Sequence, residues 1–140
     1  MKVKRSLFWD DLEKNLKSPE FLRAYVIESI RISTVDAILG QLDEIREEIG
    51  VSKAELARAI GAEPAVLRRL FASNTANPTL GTLADVAAAL GLRVSLEPMP
   101  AAERKQISKT LLEGRTTNAK KLVKHLERLE TRTPGKLAPV

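Results

Sequence analysis

Two adjacent arginines, Arg68 and Arg69, lie between Leu67 and Leu70. Leucines three apart share one face of a helix, so the guanidinium groups project elsewhere. A guanidinium is a planar, permanently charged fork of donors. It pairs bidentately with phosphate oxygens or with the O6 and N7 atoms of a guanine. Standing alone, such a pair reads first as a solvated helix face. Covalent chemistry has no comparable candidate. The chain has no cysteine and one histidine, His125. No serine sits in a glycine elbow and no glycine-rich phosphate loop is present, so no catalytic residue and no cofactor are assigned. With no second histidine and no cysteine, His125 predicts no metal site and reads as a surface residue. These residues imply binding, not catalysis, and the chain is not read as an enzyme.

The elements that position the arginines are legible in Val51–Phe71, VSKAELARAIGAEPAVLRRLF. Ser52 and Glu55 have capping-box spacing, which starts a helix. Leu56, Ala57 and Ile60 face inward, and Ala57 is small where two helices must cross closely. Gly61 permits a sharp turn because it takes a positive φ without a Cβ clash. Pro64 suits the first position of the next helix. The reading is two short helices joined by a tight turn.

Further helices flank this pair. Leu7, Phe8, Leu12 and Leu16 have near-helical spacing, with Phe8 and Trp9 read as core anchors. Ser18-Pro19-Glu20 is a helix-start signal. The β-branched patch Ile30 to Val35 predicts a bend or break. Val35, Ile38, Leu39, Leu42, Ile45 and Ile49 then keep steps of three and four, and Gly50 stops that helix. Arg93 to Glu97 alternates polar and apolar and predicts a short strand, ended by Pro98 and Pro100. Residues 101–113 predict a helix broken by Gly114. Ala119, Leu122, Val123, Leu126 and Leu129 form the apolar stripe of a basic helix. Residues 131–140 lack periodicity and are expected to be disordered.

Aromatic residues make up 4% of the chain against 44% hydrophobic overall, so the core is aliphatic and the fold class all-α. Asp10 and Asp11 follow a basic N-terminus with no apolar run, which predicts no secretory leader. No apolar stretch is long enough to predict a membrane span. The formal net charge of +5 is uneven: residues 1–100 carry 13 basic and 14 acidic side chains, residues 101–140 carry 10 and 4. The C-terminal excess suits either a polyanion contact or a solubilising tail.

The ordered set Ala54, Glu55, Leu56, Ala57, Ile60 and Gly61, followed by Asn77-Pro78-Thr79-Leu80-Gly81-Thr82-Leu83 and AAALGL, resembles the XRE, or lambda-repressor-like, helix-turn-helix family over residues 38–97. The resemblance implies a five-helix DNA-binding domain at 35–98 with a short C-terminal strand. An N-terminal helical extension (1–34), a basic helical extension (99–130) and a tail (131–140) complete the division. It further implies that the second motif helix enters the major groove of double-stranded DNA. Glu63, Pro64, Ala65, Arg68 and Arg69 then become base-facing, with Arg69 the best reader of guanine. Lys53, Ser73, Asn74, Thr75 and Asn77 become phosphate-facing. The order LKSPEF, helix, motif, NPTLGTL and RVSLEP also resembles HigA-like antitoxins over residues 10–100.

Three functions are consistent with these features. The first is a sequence-specific, homodimeric transcriptional regulator in the cytoplasm, on the nucleoid. The second is an antitoxin that binds a small toxin protein, through carboxylates among Glu13, Glu20, Glu28, Glu44, Glu47 and Glu48, and regulates its own synthesis. The third is a nucleoid-type protein that binds DNA without sequence preference.

Overall fold

A computed structural model of the chain describes residues 2–72 and 77–131, with side chains from Leu7 to Glu130 in those ranges. The described residues form helices α1 (Lys2–Asn15), α2 (Pro19–Ile49), α3 (Lys53–Ala59), α4 (Pro64–Ala72), α5 (Leu80–Ala89), α6 (Ala101–Glu113) and α7 (Ala119–Thr131). They contain no strand. The fold is helical, as the aliphatic composition predicts.

The chain divides into two compact units. Among the described residues, unit 1 joins Met1–Ser33 to Glu97–Arg132, and unit 2 is Thr34–Leu96. Unit 1 is closed by Leu16, Leu22 and Val26 from one end of the sequence and Ile107, Leu122 and Leu126 from the other. The basic C-terminal helices therefore share a core with α1 and the start of α2. Unit 2 buries Leu39, Leu42, Leu56, Ala57, Leu67, Leu70, Leu83, Val86, Ala87 and Leu90 together.

Helix α2 begins where expected: the Phe21 N–H donates to Ser18 Oγ at 3.4 Å, and Pro19 takes the first position. It does not break between Ile30 and Val35. Five β-branched residues in 27–35 lower helix propensity by about 0.5 kcal/mol each. Burying Leu22 and Val26 in unit 1 and Leu39 and Leu42 in unit 2 contributes about 1.5–3 kcal/mol apiece. Burial outweighs local preference, and one helix supplies both units.

Other expectations are corrected. Unit 2 contains the second half of α2 with α3, α4 and α5, so four helical segments stand where five were expected. Arg93–Glu97 is not a strand. Among the described residues, no backbone–backbone hydrogen bond involves that segment, Leu96 is fully exposed, and an alternating pattern without a neighbouring strand has no ladder to join. Phe8 is 71% exposed, while Trp9 is half-buried with Lys120 Nζ 5.9 Å from its ring centroid. His125 is buried, not on the surface, because it stands three residues after Leu122 and four before Leu129 on the inward face of α7. Gly114 ends α6 as expected, at φ 73°. Of residues 131–140, expected to be disordered, Thr131 is the last residue of α7 and 132–140 lie outside the described residues.

Candidate nucleic-acid interface

Local chemistry sets the start of α3. Ser52 is extended (φ −75°, ψ 158°), and its Oγ accepts from the Glu55 N–H at 3.0 Å. Glu55 Oε1 in turn accepts from the Ser52 N–H at 3.2 Å, which completes the capping box. The backbone donor, then the Ser52 side chain, and last the Arg58 charge hold the Glu55 carboxyl below its ordinary range, against a small opposing effect of burial.

The end of α3 is set by Gly61, at φ 68°. The Gly61 N–H donates to the Arg58 carbonyl at 3.2 Å and the Ala62 N–H to the Ala57 carbonyl at 2.9 Å. This pair of back-bonds stops a helix on a left-handed residue, and glycine takes that conformation without a Cβ penalty. The chain then enters α4 with Pro64 at its first position. Leu56 and Ala57 of α3 and Leu67 of α4 are almost wholly buried. Ala57, with no exposed surface, is the small residue that lets the two helices pack.

Helix α4 has two distinct faces. Val66, Leu67, Leu70 and Phe71 face the core, whereas Ala65, Arg68, Arg69 and Ala72 are exposed. The exposed set has spacings of three and four and forms one continuous stripe. Glu63 and Pro64 precede it, also exposed. Among the described residues, no carboxylate forms an ion pair with Arg68 or Arg69. Of the five residues expected to face bases, Pro64, Ala65, Arg68 and Arg69 lie on α4 and Glu63 immediately precedes it, all exposed. Lys53 is half-buried at the first position of α3, and Asn77 is exposed ahead of α5. Ser73, Asn74 and Thr75 lie outside the described residues.

Residues 42–96 match the helix-turn-helix family model. This segment, less than half of the chain, is similar to the XRE-type helix-turn-helix family. Comparisons with curated proteins and with solved structures give no match. Proteins of that family bind DNA, and the matched stretch contains α3, the Gly61 turn and α4.

The helix-turn-helix unit also depends on residues with no obvious sequence signal. Arg46 of α2 donates through Nη1 to the Val51 carbonyl at 2.8 Å and through Nε to Asp43 Oδ1 at 2.9 Å. It therefore fixes the chain where α2 gives way to α3. The Asp43–Arg46 spacing of three was a usable hint, but the carbonyl contact was not. Thr79 caps α5, its Oγ1 accepting from the Thr82 N–H at 3.1 Å, and a Thr-x-x-Thr pattern ahead of a helix was readable. Arg58 is an exposed cation on α3 that received no role in the sequence reading.

Charge within the unit is segregated. Thr34–Ile49 carries five carboxylates and Arg46, a net −4, whereas residues 50–96 carry five basic and three acidic side chains, a net +2. The acidic character belongs to α2, and the two-helix motif lies in the positive part.

Proposed function

We propose that the chain is a sequence-specific transcriptional regulator that reads the major groove with α4. The supporting observation is the outward stripe Ala65, Arg68, Arg69 and Ala72, which offers two guanidinium groups with no ion pair among the described residues, on a helix anchored from behind by Leu67 and Leu70. Arg69 pairs with guanine O6 and N7, Arg68 with a base or a phosphate, and Ala65 packs on a thymine methyl. Pro64 offers no donor, and Glu63 accepts from a cytosine amino group. Lys53, Asn77 and the loop residues Ser73, Asn74 and Thr75 hold the backbone. The regulator acts as a homodimer on a two-fold operator, in the cytoplasm and on the nucleoid. Arg93–Glu97, which makes no backbone–backbone hydrogen bond among the described residues and exposes Val94 and Leu96, gains its strand by pairing with the same segment of a second copy. Selection of bound duplexes from a random pool tests this reading. A recovered consensus that disappears in a folded Arg68→Ala, Arg69→Ala variant supports it. Failure to enrich any sequence overturns it.

The net −4 of Thr34–Ile49 favours a second reading, in which the protein is also an antitoxin. Glu44, Glu47 and Glu48 are exposed there and suit a basic toxin, since complementary charge steers such partners together. Co-expression with the neighbouring genes tests it. A stoichiometric small partner on purification supports it. Absence of any partner, and of toxicity when this chain is deleted, removes it.

A further inference from the structure

The two units differ sharply in charge. Unit 2 carries six basic and eight acidic side chains over residues 34–96, a net −2. Unit 1 carries sixteen basic and ten acidic over 1–33 and 97–132, a net +6. The helix-turn-helix unit that would read DNA is thus the poorer of the two in the charge that holds a polyanion.

Part of the positive charge of unit 1 lies on α6 and α7. Lys105 and Lys109 are exposed four apart on α6, and Lys121 and Lys124 are exposed three apart on α7. Among the described residues, no carboxylate forms an ion pair with any of the four. Two carboxylates of α7, Glu127 and Glu130, act on Tyr25: burial first, and then their charges, push its hydroxyl above the ordinary range. That places them toward α2, within unit 1. Lys120 is held over the Trp9 ring and is not counted among the four.

Two observations select the partner. Helix α7 is strongly amphipathic, but its apolar residues Leu122 and Leu126 are buried in the unit 1 core, and α6 exposes Leu112 alone of its large apolar residues, so neither helix presents a continuous apolar face to a lipid surface. Neither α6 nor α7 contains Phe, Tyr or Trp, so neither offers a platform on which unpaired bases stack. What remains is a set of ammonium groups without base-reading geometry, which complements the phosphates of a duplex.

We infer that α6 and α7 form a second DNA contact, a sequence-independent phosphate clamp of Lys105, Lys109, Lys121 and Lys124 within unit 1. This rests on the DNA-binding reading above, and the test uses duplex of random sequence so that the two can fail separately. Truncation is unsuitable because α6 and α7 share a core with α1 and α2. The full-length chain is therefore compared with a Lys105→Gln, Lys109→Gln, Lys121→Gln, Lys124→Gln variant, and with the same four positions changed to arginine. Binding is measured across salt concentrations. Each lost phosphate contact should flatten the slope of log K against log salt by about 0.9, up to about 3.6 for four. The arginine variant should keep the wild-type slope. Circular dichroism establishes that the glutamine variant is folded. An unchanged slope in the folded glutamine variant overturns the clamp. Tighter binding of wild type to random single-stranded RNA or to vesicles of anionic phospholipid than to the duplex overturns the choice of partner. A chain that selects no preferred sequence yet loses salt slope on the four substitutions retains the clamp and loses the reading helix.

Discussion

The guanidinium of Arg23 lies where a side chain at Gly114 would begin. A Cβ built on Gly114 falls 2.9 Å from Arg23 Cζ. From that position Arg23 donates to the Leu111 carbonyl at 3.0 Å and the Leu112 carbonyl at 3.3 Å. Carbonyls in the last turn of a helix have no partner within it, and a cation there also meets the negative end of the helix dipole. An arginine from α2 thus caps α6, and it reaches those carbonyls because residue 114 is glycine.

Gly114→Ala should therefore act twice. The left-handed conformation costs an alanine about 1–2 kcal/mol, and the new methyl group displaces Arg23. Arg23→Ala in the Gly114→Ala background should then cost less than Arg23→Ala in the wild type. Chemical denaturation of the four proteins of this double-mutant cycle measures the coupling. Strict additivity would show that the two residues act independently.

Ala57 offers a second packing test. It has no exposed surface and packs in the core of α3 and α4. Ala57→Leu should cost about 1–3 kcal/mol through overpacking, read as a lower denaturation midpoint. Ala57→Gly should also destabilise, through helix propensity, by about 1 kcal/mol. A leucine variant that melts like wild type would show that the helices are not in close contact there.

The capping box predicts a pH dependence. The folded Glu55 carboxyl titrates below its unfolded value, so its contribution is present at neutral pH. It is lost as the pH falls from the ordinary glutamate range through the lowered folded value. The stability of wild type should therefore drop more steeply in that acid window than that of Glu55→Gln. Ser52→Ala, which removes the reciprocal bond, should cost about 1 kcal/mol at neutral pH and reduce the acid sensitivity. Parallel pH profiles for wild type and Glu55→Gln would refute the coupling.

Arg68 and Arg69 should be separable on the operator. Arg69→Ala is expected to weaken operator binding by about 1–3 kcal/mol and to relax the choice at one base pair. If Arg68 contacts phosphate, Arg68→Ala should weaken all sequences alike and flatten the salt slope by about 0.9. Fluorescence anisotropy with operator and single-substituted duplexes distinguishes them. Equal losses on operator and random duplex for Arg69→Ala would remove its reading role.

The two-helix motif was legible because its determinants are local. Ser52 and Glu55 are three apart, Gly61 follows the last turn of α3, and Pro64 opens α4, so each signal lies within one turn of what it controls. The errors arose where distant groups decide. Ile30 to Val35 reads as a break until Leu22, Val26, Leu39 and Leu42 are known to be buried on either side. Arg93–Glu97 has strand periodicity, but periodicity does not supply a partner strand. His125 was avoidable, since its spacing from Leu122 and Leu129 already placed it on the inward face. Arg23 and Arg46 bond to backbone carbonyls, which leave no mark in the residue pattern. On α4 the sequence placed the exposed stripe correctly. It gave no sign that α6 and α7 complete the core of α1.

The discontinuity of unit 1 also orders events during synthesis. Thr34–Leu96 is contiguous, and its core is complete once α5 and Leu92 have left the ribosome. Leu16, Leu22 and Val26 emerge first yet wait for Ile107, Leu122 and Leu126, across some of the longest sequence separations in the molecule. Closing such contacts is slow because the loop entropy must be overcome before any burial offsets it. The nascent chain thus passes through an interval in which the helix-turn-helix unit is folded while the apolar face at its own N-terminus is open, a natural binding surface for a chaperone and the stage at which this protein is most prone to aggregate.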